Sequence, residues 1–162
     1  MDEDQVITLI NAAFANVPRP TKESITSCKC GECLEIRDDF AERDPDVLAP
    51  DRMRFHSWDM SFFTPEARHY FLPGWMRLGI RQPELAYTDA VIALLFSGEG
   101  WDVPRRYTPE QHHAIVSFLD LIRSRYVERH DEGLEAVWRC WTEPEEKTGI
   151  EESEQAVRCN RR

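Results

Sequence analysis

Thr108-Pro109-Glu110-Gln111-His112-His113-Ala114-Ile115-Val116-Ser117-Phe118-Leu119-Asp120-Leu121-Ile122-Arg123-Ser124-Arg125-Tyr126 reads as helix from its first residue. The threonine supplies a capping hydroxyl, and proline takes the first helical position, where its missing N–H leaves no partner unmet. Gln111, three residues after the threonine, completes a capping box. Ile115, Phe118, Leu119, Ile122 and Tyr126 then fall on one stripe at the helical period. The spacing predicts a helix over 109–129. Thr64-Pro65-Glu66-Ala67 repeats the same start and predicts a helix over 64–72, which Pro73-Gly74 is expected to end.

Outward from these two starts the pattern stays helical. Residues 2–16 place Val6, Leu9, Ile10, Ala13 and Phe14 at helical spacing behind an acidic first turn, and Pro18 and Pro20 close the run. Residues 32–43 carry Leu34, Ile36 and Phe40, with Asp38, Asp39 and Glu42 read as a solvated face. Residues 74–81 and 85–96 read as two further helices, and 133–141 as a last one bearing Leu134, Val137, Trp138 and Trp141. The expected fold is all-α, one compact domain of about six helices. Phe14, Leu94, Ile115, Phe118, Leu119, Ile122, Val137 and Trp138 are expected to be its core. Residues 1–142 form the helical domain in this reading. Residues 143–162, rich in charge and without an aromatic side chain, form a loosely held tail that carries Cys159.

The chain has 162 residues, 41% of them apolar and 31% charged, which suits one folded domain with a sizeable core. Its net charge of −10 opposes the counterion release that drives nucleic-acid binding and disfavours anionic membrane surfaces. The longest apolar run, Ala90 to Phe96, is far short of a membrane span. The opening Met-Asp-Glu-Asp-Gln lacks the basic-then-apolar pattern of a secretory signal, so a cytoplasmic, reducing location is expected. Charge is uneven: residues 1–49 are net −6, residues 50–106 are neutral and residues 107–162 are net −4. The bases of the neutral stretch are all arginine, and their expected use is local pairing with acids of the same chain.

Chemistry concentrates in one place. Cys28-Lys29-Cys30-Gly31-Glu32-Cys33 holds three of the five cysteines. In a reducing compartment such a cluster points to metal or redox chemistry before a structural disulfide. The Cys30/Cys33 spacing suits two thiolates on one zinc, with Cys28 as a third ligand and His56, Cys140 or Glu32 as candidates for the fourth. The zinc site expected from these residues is Cys28, Cys30, Cys33 and His56, with a hydrogen-bonded structural role as the other reading of His56. The alternative is a reversible dithiol made by Cys30 and Cys33. A third reading leaves all three as ordinary thiols. His69, the His112-His113 pair and His130 have ready structural roles. The sequence carries no glycine-rich phosphate loop, nucleophile elbow or zinc-protease motif.

The segment Cys30 to Glu35, the block Arg54-x-His-Ser-Trp-Asp-Met-Ser-Phe-Phe-Thr-Pro-Glu-Ala67, the run His69-Tyr-Phe-Leu-Pro73 and the second Thr-Pro-Glu start together resemble an uncharacterised family of small bacterial proteins. The resemblance spans roughly residues 10–127 and implies a bacterial, cytosolic, single-domain protein without supplying a mechanism. The residues themselves suggest a non-enzymatic accessory protein of immunity type that binds a protein partner and carries a structural zinc. A thiol-dependent redox protein or enzyme using Cys30 and Cys33 is the alternative.

Overall fold

Asp2 and Gln5 open the first helix with a reciprocal capping box: the Gln5 N–H donates to Asp2 Oδ1 at 2.9 Å and the Asp2 N–H to Gln5 Oε1 at 3.0 Å. The structure is a computed structural model. It describes residues 1–41, 43, 55–56, 59–83, 85–96, 104–125 and 132–143. Six α-helices lie among them: α1 (Glu3–Phe14), α2 (Gly31–Phe40), α3 (Pro65–Arg81), α4 (Leu85–Phe96), α5 (Pro109–Arg125) and α6 (Glu132–Thr142). Among the described residues there is no strand, and the one β feature is an isolated antiparallel bridge between Thr26 and Phe63. The all-α expectation holds. The expected tail beyond Glu143 lies outside the described residues, as do Tyr126, Trp101, His130 and Cys159.

α1 packs on α3 and α5, α4 on α3 and α6, and α6 on α5. One apolar core runs through all of them. From the expected core list, Phe14, Leu94, Ile115, Phe118, Leu119, Ile122 and Val137 are buried. Trp138 is not. It lies half-exposed, donates from Nε1 to Asp120 Oδ1 at 2.7 Å and receives the Arg123 guanidinium over its ring. Among the described residues the fully buried indoles are Trp75 and Trp141. Trp141 is one helical turn past Val137, on the same stripe, whereas Trp138 is rotated towards the rim.

The break expected at Pro73-Gly74 does not occur. α3 runs unbroken through both residues, and the two predicted helices 64–72 and 74–81 are one. An interior proline forfeits a hydrogen bond and crowds the carbonyl four residues back, at a cost of about 3 kcal/mol. Phe71, Leu72, Trp75, Met76 and Ile80, all buried to within 1% of full, offset it from both sides of the proline. Tertiary burial overrides the local signal here.

α3 and α4 approach closely where Gly79 faces Thr88. A Cβ on Gly79 would stand 3.2 Å from Thr88 Oγ1 and 3.7 Å from the Phe118 ring. Gly79→Val should therefore lower stability by about 1–3 kcal/mol through overpacking, measured by denaturant unfolding. An unchanged midpoint would mean that the two helices are free to separate.

The neutral segment's arginines divide. Arg77 is buried and donates to Asn11 Oδ1 on α1 at 2.9 Å. Arg68 is buried, and Arg81, Arg105 and Arg106 are exposed. No helix is long and apolar enough to cross a membrane among the described residues.

Candidate metal centre

Cys30 is the N-cap of α2, in extended conformation, so the chain turns into the helix at the cysteine cluster. Gly31 and Glu32 form the first helical positions, and Cys33 begins the buried face. That face is Cys33, Ile36 and Phe40, spaced three and four apart. Leu34, expected to be apolar and inward, is 47% exposed instead. Phe40 anchors the helix by meeting Phe63 and Phe71 edge-on, each at 5.0 Å, and stacking on Trp75 at 5.6 Å.

The three sulfurs converge. Cys28 Sγ lies 2.9 Å from Cys30 Sγ and 2.6 Å from Cys33 Sγ, and all three lie within 4.8 Å of one another. None is in a disulfide. Cys33 is buried, whereas Cys28 and Cys30 are exposed. Among the described residues, these thiols form the one group of three or more metal-ligating side chains with converging ligand atoms.

A clamp behind the cluster fixes the segment that carries Cys28. Arg37, one turn past Cys33, donates from Nε to Thr26 Oγ1 at 2.8 Å and from Nη2 to the Thr26 carbonyl at 2.5 Å and the Cys28 carbonyl at 3.0 Å. Thr26 Oγ1 in turn reaches the Cys33 carbonyl at 3.3 Å. The strap continues into the body of the fold, where the Thr64 N–H donates to the Ile25 carbonyl at 2.9 Å.

The two sides of the cluster differ electrostatically. Hydrogen bonding with the Cys30 and Cys33 side chains and from the Cys30 N–H, with the field of Arg37, holds the Cys28 thiol below its usual range. Burial, reinforced by the neighbouring sulfurs, pushes Cys33 up to about 12.

His56, the expected fourth ligand, is engaged elsewhere. Its Nε2 faces Asp39 Oδ2 at 2.8 Å and its Nδ1 faces Asp59 Oδ2 at 2.9 Å, with the ring 1% exposed and edge-on to Phe40. Both ring nitrogens are thus committed to carboxylates, and the histidine ties α2 to the segment before α3. Asp39, read from sequence as a solvated residue, is one of its partners. His56→Ala should cost about 1–3 kcal/mol by leaving part-buried carboxylates without their partner. Metal stoichiometry, measured by elemental analysis of the same variant, should not change. Loss of metal without loss of stability would make His56 a ligand after all.

The other histidines have structural partners. His69 Nε2 pairs with Gln111 Oε1 at 2.9 Å and its ring packs against Phe14 and Tyr107, while His112 stacks on Trp141. The capping box expected at Thr108 and Gln111 is present, with the Thr108 N–H on Gln111 Oε1 at 3.1 Å. Cys140 is half-buried on α6.

Sequence reasoning found the three cysteines and missed Arg37. Its signal was available: four residues after Cys33, it must project from the same helix face.

A model for a family of unknown function (DUF6714) matches residues 2–145, and the chain belongs to that family. No curated protein and no solved structure matches the chain.

Proposed function

We propose that this chain is a metal–thiolate protein that binds one zinc-class ion through Cys28, Cys30 and Cys33. The convergence of three sulfurs at the mouth of α2 carries this reading. Thiolate ligands select soft or borderline ions such as zinc over magnesium or calcium. At a Zn–S distance of 2.3 Å, tetrahedral geometry needs sulfurs about 3.8 Å apart, so the ion would wedge the present cluster open by about 1 Å. Three protein ligands leave a fourth position for water or a donor from outside. That is the pattern of sites that exchange ligands, whereas a closed structural site supplies all four.

Arg37 supports the reading in two ways. It positions Cys28 through the backbone, and its positive charge balances the net −1 of three thiolates around a divalent ion. Arg37→Gln should weaken zinc binding by about 10–100-fold, the usual effect of removing a partner that orients a ligand, with the helical spectrum retained. Competition titration against a chromogenic chelator measures this, and unchanged affinity would remove Arg37 from the site.

The wider role we infer is that of an accessory protein acting on a protein partner with a basic face. The net charge of −10 and the exposed Phe55 and Phe62 support it. Complexes recovered with the tagged full chain should weaken as salt is raised; insensitivity to salt would contradict a charge-matched partner.

A further inference from the structure

The spacing of the sequence nominates Cys30 and Cys33 as a dithiol, but the fold also brings Cys28 within bonding reach of Cys33. Cys28 Sγ lies 2.6 Å from Cys33 Sγ and 2.9 Å from Cys30 Sγ. A further approach of about half an ångström would reach the ~2.05 Å of a disulfide bond. The strap that carries Cys28 cannot swing away without breaking the Arg37 bonds to Thr26 and Cys28. Accessibility divides the roles as well. Cys28 is open to solvent and can meet an oxidant, whereas Cys33 is buried and can be reached from its neighbours.

Resting on the metal reading above, we propose that hydroperoxides oxidise this centre to a Cys28–Cys33 disulfide and thereby expel the ion. The Cys28 thiolate attacks the outer oxygen of the peroxide. An S–O bond forms, the O–O bond breaks, and the alkoxide takes a proton to leave as alcohol (water, for hydrogen peroxide). The Cys33 sulfur then attacks the Cys28 sulfenic acid. The S–S bond forms, the S–O bond breaks, and hydroxide leaves as water after taking a proton. Two electrons pass from the two sulfurs to the peroxide. With zinc in place, three thiolates around the ion plus one hydroperoxide and two protons give free zinc, the disulfide, one Cys30 thiolate, one alcohol and one water. The ion keeps one ligand of three and departs. Metal and disulfide exclude each other geometrically, since one needs the sulfurs about 3.8 Å apart and the other about 2 Å.

The test treats the zinc-loaded full chain with hydrogen peroxide, follows zinc with a chromogenic dye, and maps disulfides by mass spectrometry after alkylating the remaining thiols. The expected result is one zinc released per disulfide, Cys28 linked to Cys33, and Cys30 alkylated. Cys30→Ser should still form that disulfide in the metal-free chain, and Cys28→Ser should not. A Cys30–Cys33 or Cys28–Cys30 linkage would overturn the proposal, as would zinc retained at peroxide levels that fully oxidise glutathione. If the purified chain takes up no zinc, the metal reading fails by itself. The same treatment of the metal-free chain then decides the redox inference, upheld by a Cys28–Cys33 linkage and overturned by its absence.

Discussion

Phe40→Ala is expected to lower the free energy of unfolding by about 3–5 kcal/mol. Phe40 is 1% exposed and touches four aromatic rings, those of His56, Phe63, Phe71 and Trp75. Truncation removes the transfer energy of the ring and leaves a cavity walled by rigid neighbours that cannot close over it. In a domain of this size each kcal/mol moves the melting temperature by roughly 2–4 °C, so a fall on the order of 10 °C should be seen by calorimetry. Leu34→Ala on the exposed side of the same helix is the control and should stay within about 0.5 kcal/mol. Because Phe40 seats the helix whose first turn holds Cys30 and Cys33, zinc affinity should fall with stability in Phe40→Ala and remain unchanged in Leu34→Ala. Equal losses in the two variants would mean that α2 is not docked through Phe40.

Changing Cys28, Cys30 and Cys33 together to serine should abolish stoichiometric zinc. Serine hydroxyls are poor zinc ligands at neutral pH, and no other described cluster offers three converging donors. An ion that binds only the folded chain stabilises it by RT ln(1 + [L]/Kd), about 2.7 kcal/mol at a hundredfold excess over Kd. A chelator should therefore lower the melting temperature of the natural chain and leave that of the serine variant where it was. Phe40, Ile36 and the rest of the core are untouched by these substitutions, so the variant should keep its helical spectrum. A chelator effect of the same size in the variant would place the ion elsewhere.

The helices were legible where burial and local propensity agree. The Thr108 start and its stripe returned a helix over the described part, and the acids around Asp2 returned a capped first helix, because caps and periodicity act over a few residues and leave a direct trace in sequence. Pro73 shows where that trace fails: its local cost is outweighed by Phe71, Leu72, Trp75 and Met76, whose value depends on helices distant in sequence. Leu34 and Trp138 fail for a smaller reason. An error of one residue rotates a helix position by about 100°, enough to exchange a core residue for a rim residue. At the site, three cysteines within six residues announce themselves. Their grouping by distance does not, because it depends on Arg37 drawing the strap back onto α2. The engagement of His56 between Asp39 and Asp59 was equally hidden, since the two carboxylates stand 17 and 3 residues away from it.

The metal–thiolate proposal puts one ion on Cys28, Cys30 and Cys33. X-ray absorption at the zinc edge of the purified, zinc-loaded full chain tests it most directly. The expected result is one zinc per chain with three sulfurs at about 2.3 Å and one lighter donor at about 2.0–2.2 Å. A zinc bound only by oxygen and nitrogen, or a chain that takes up none, would contradict it.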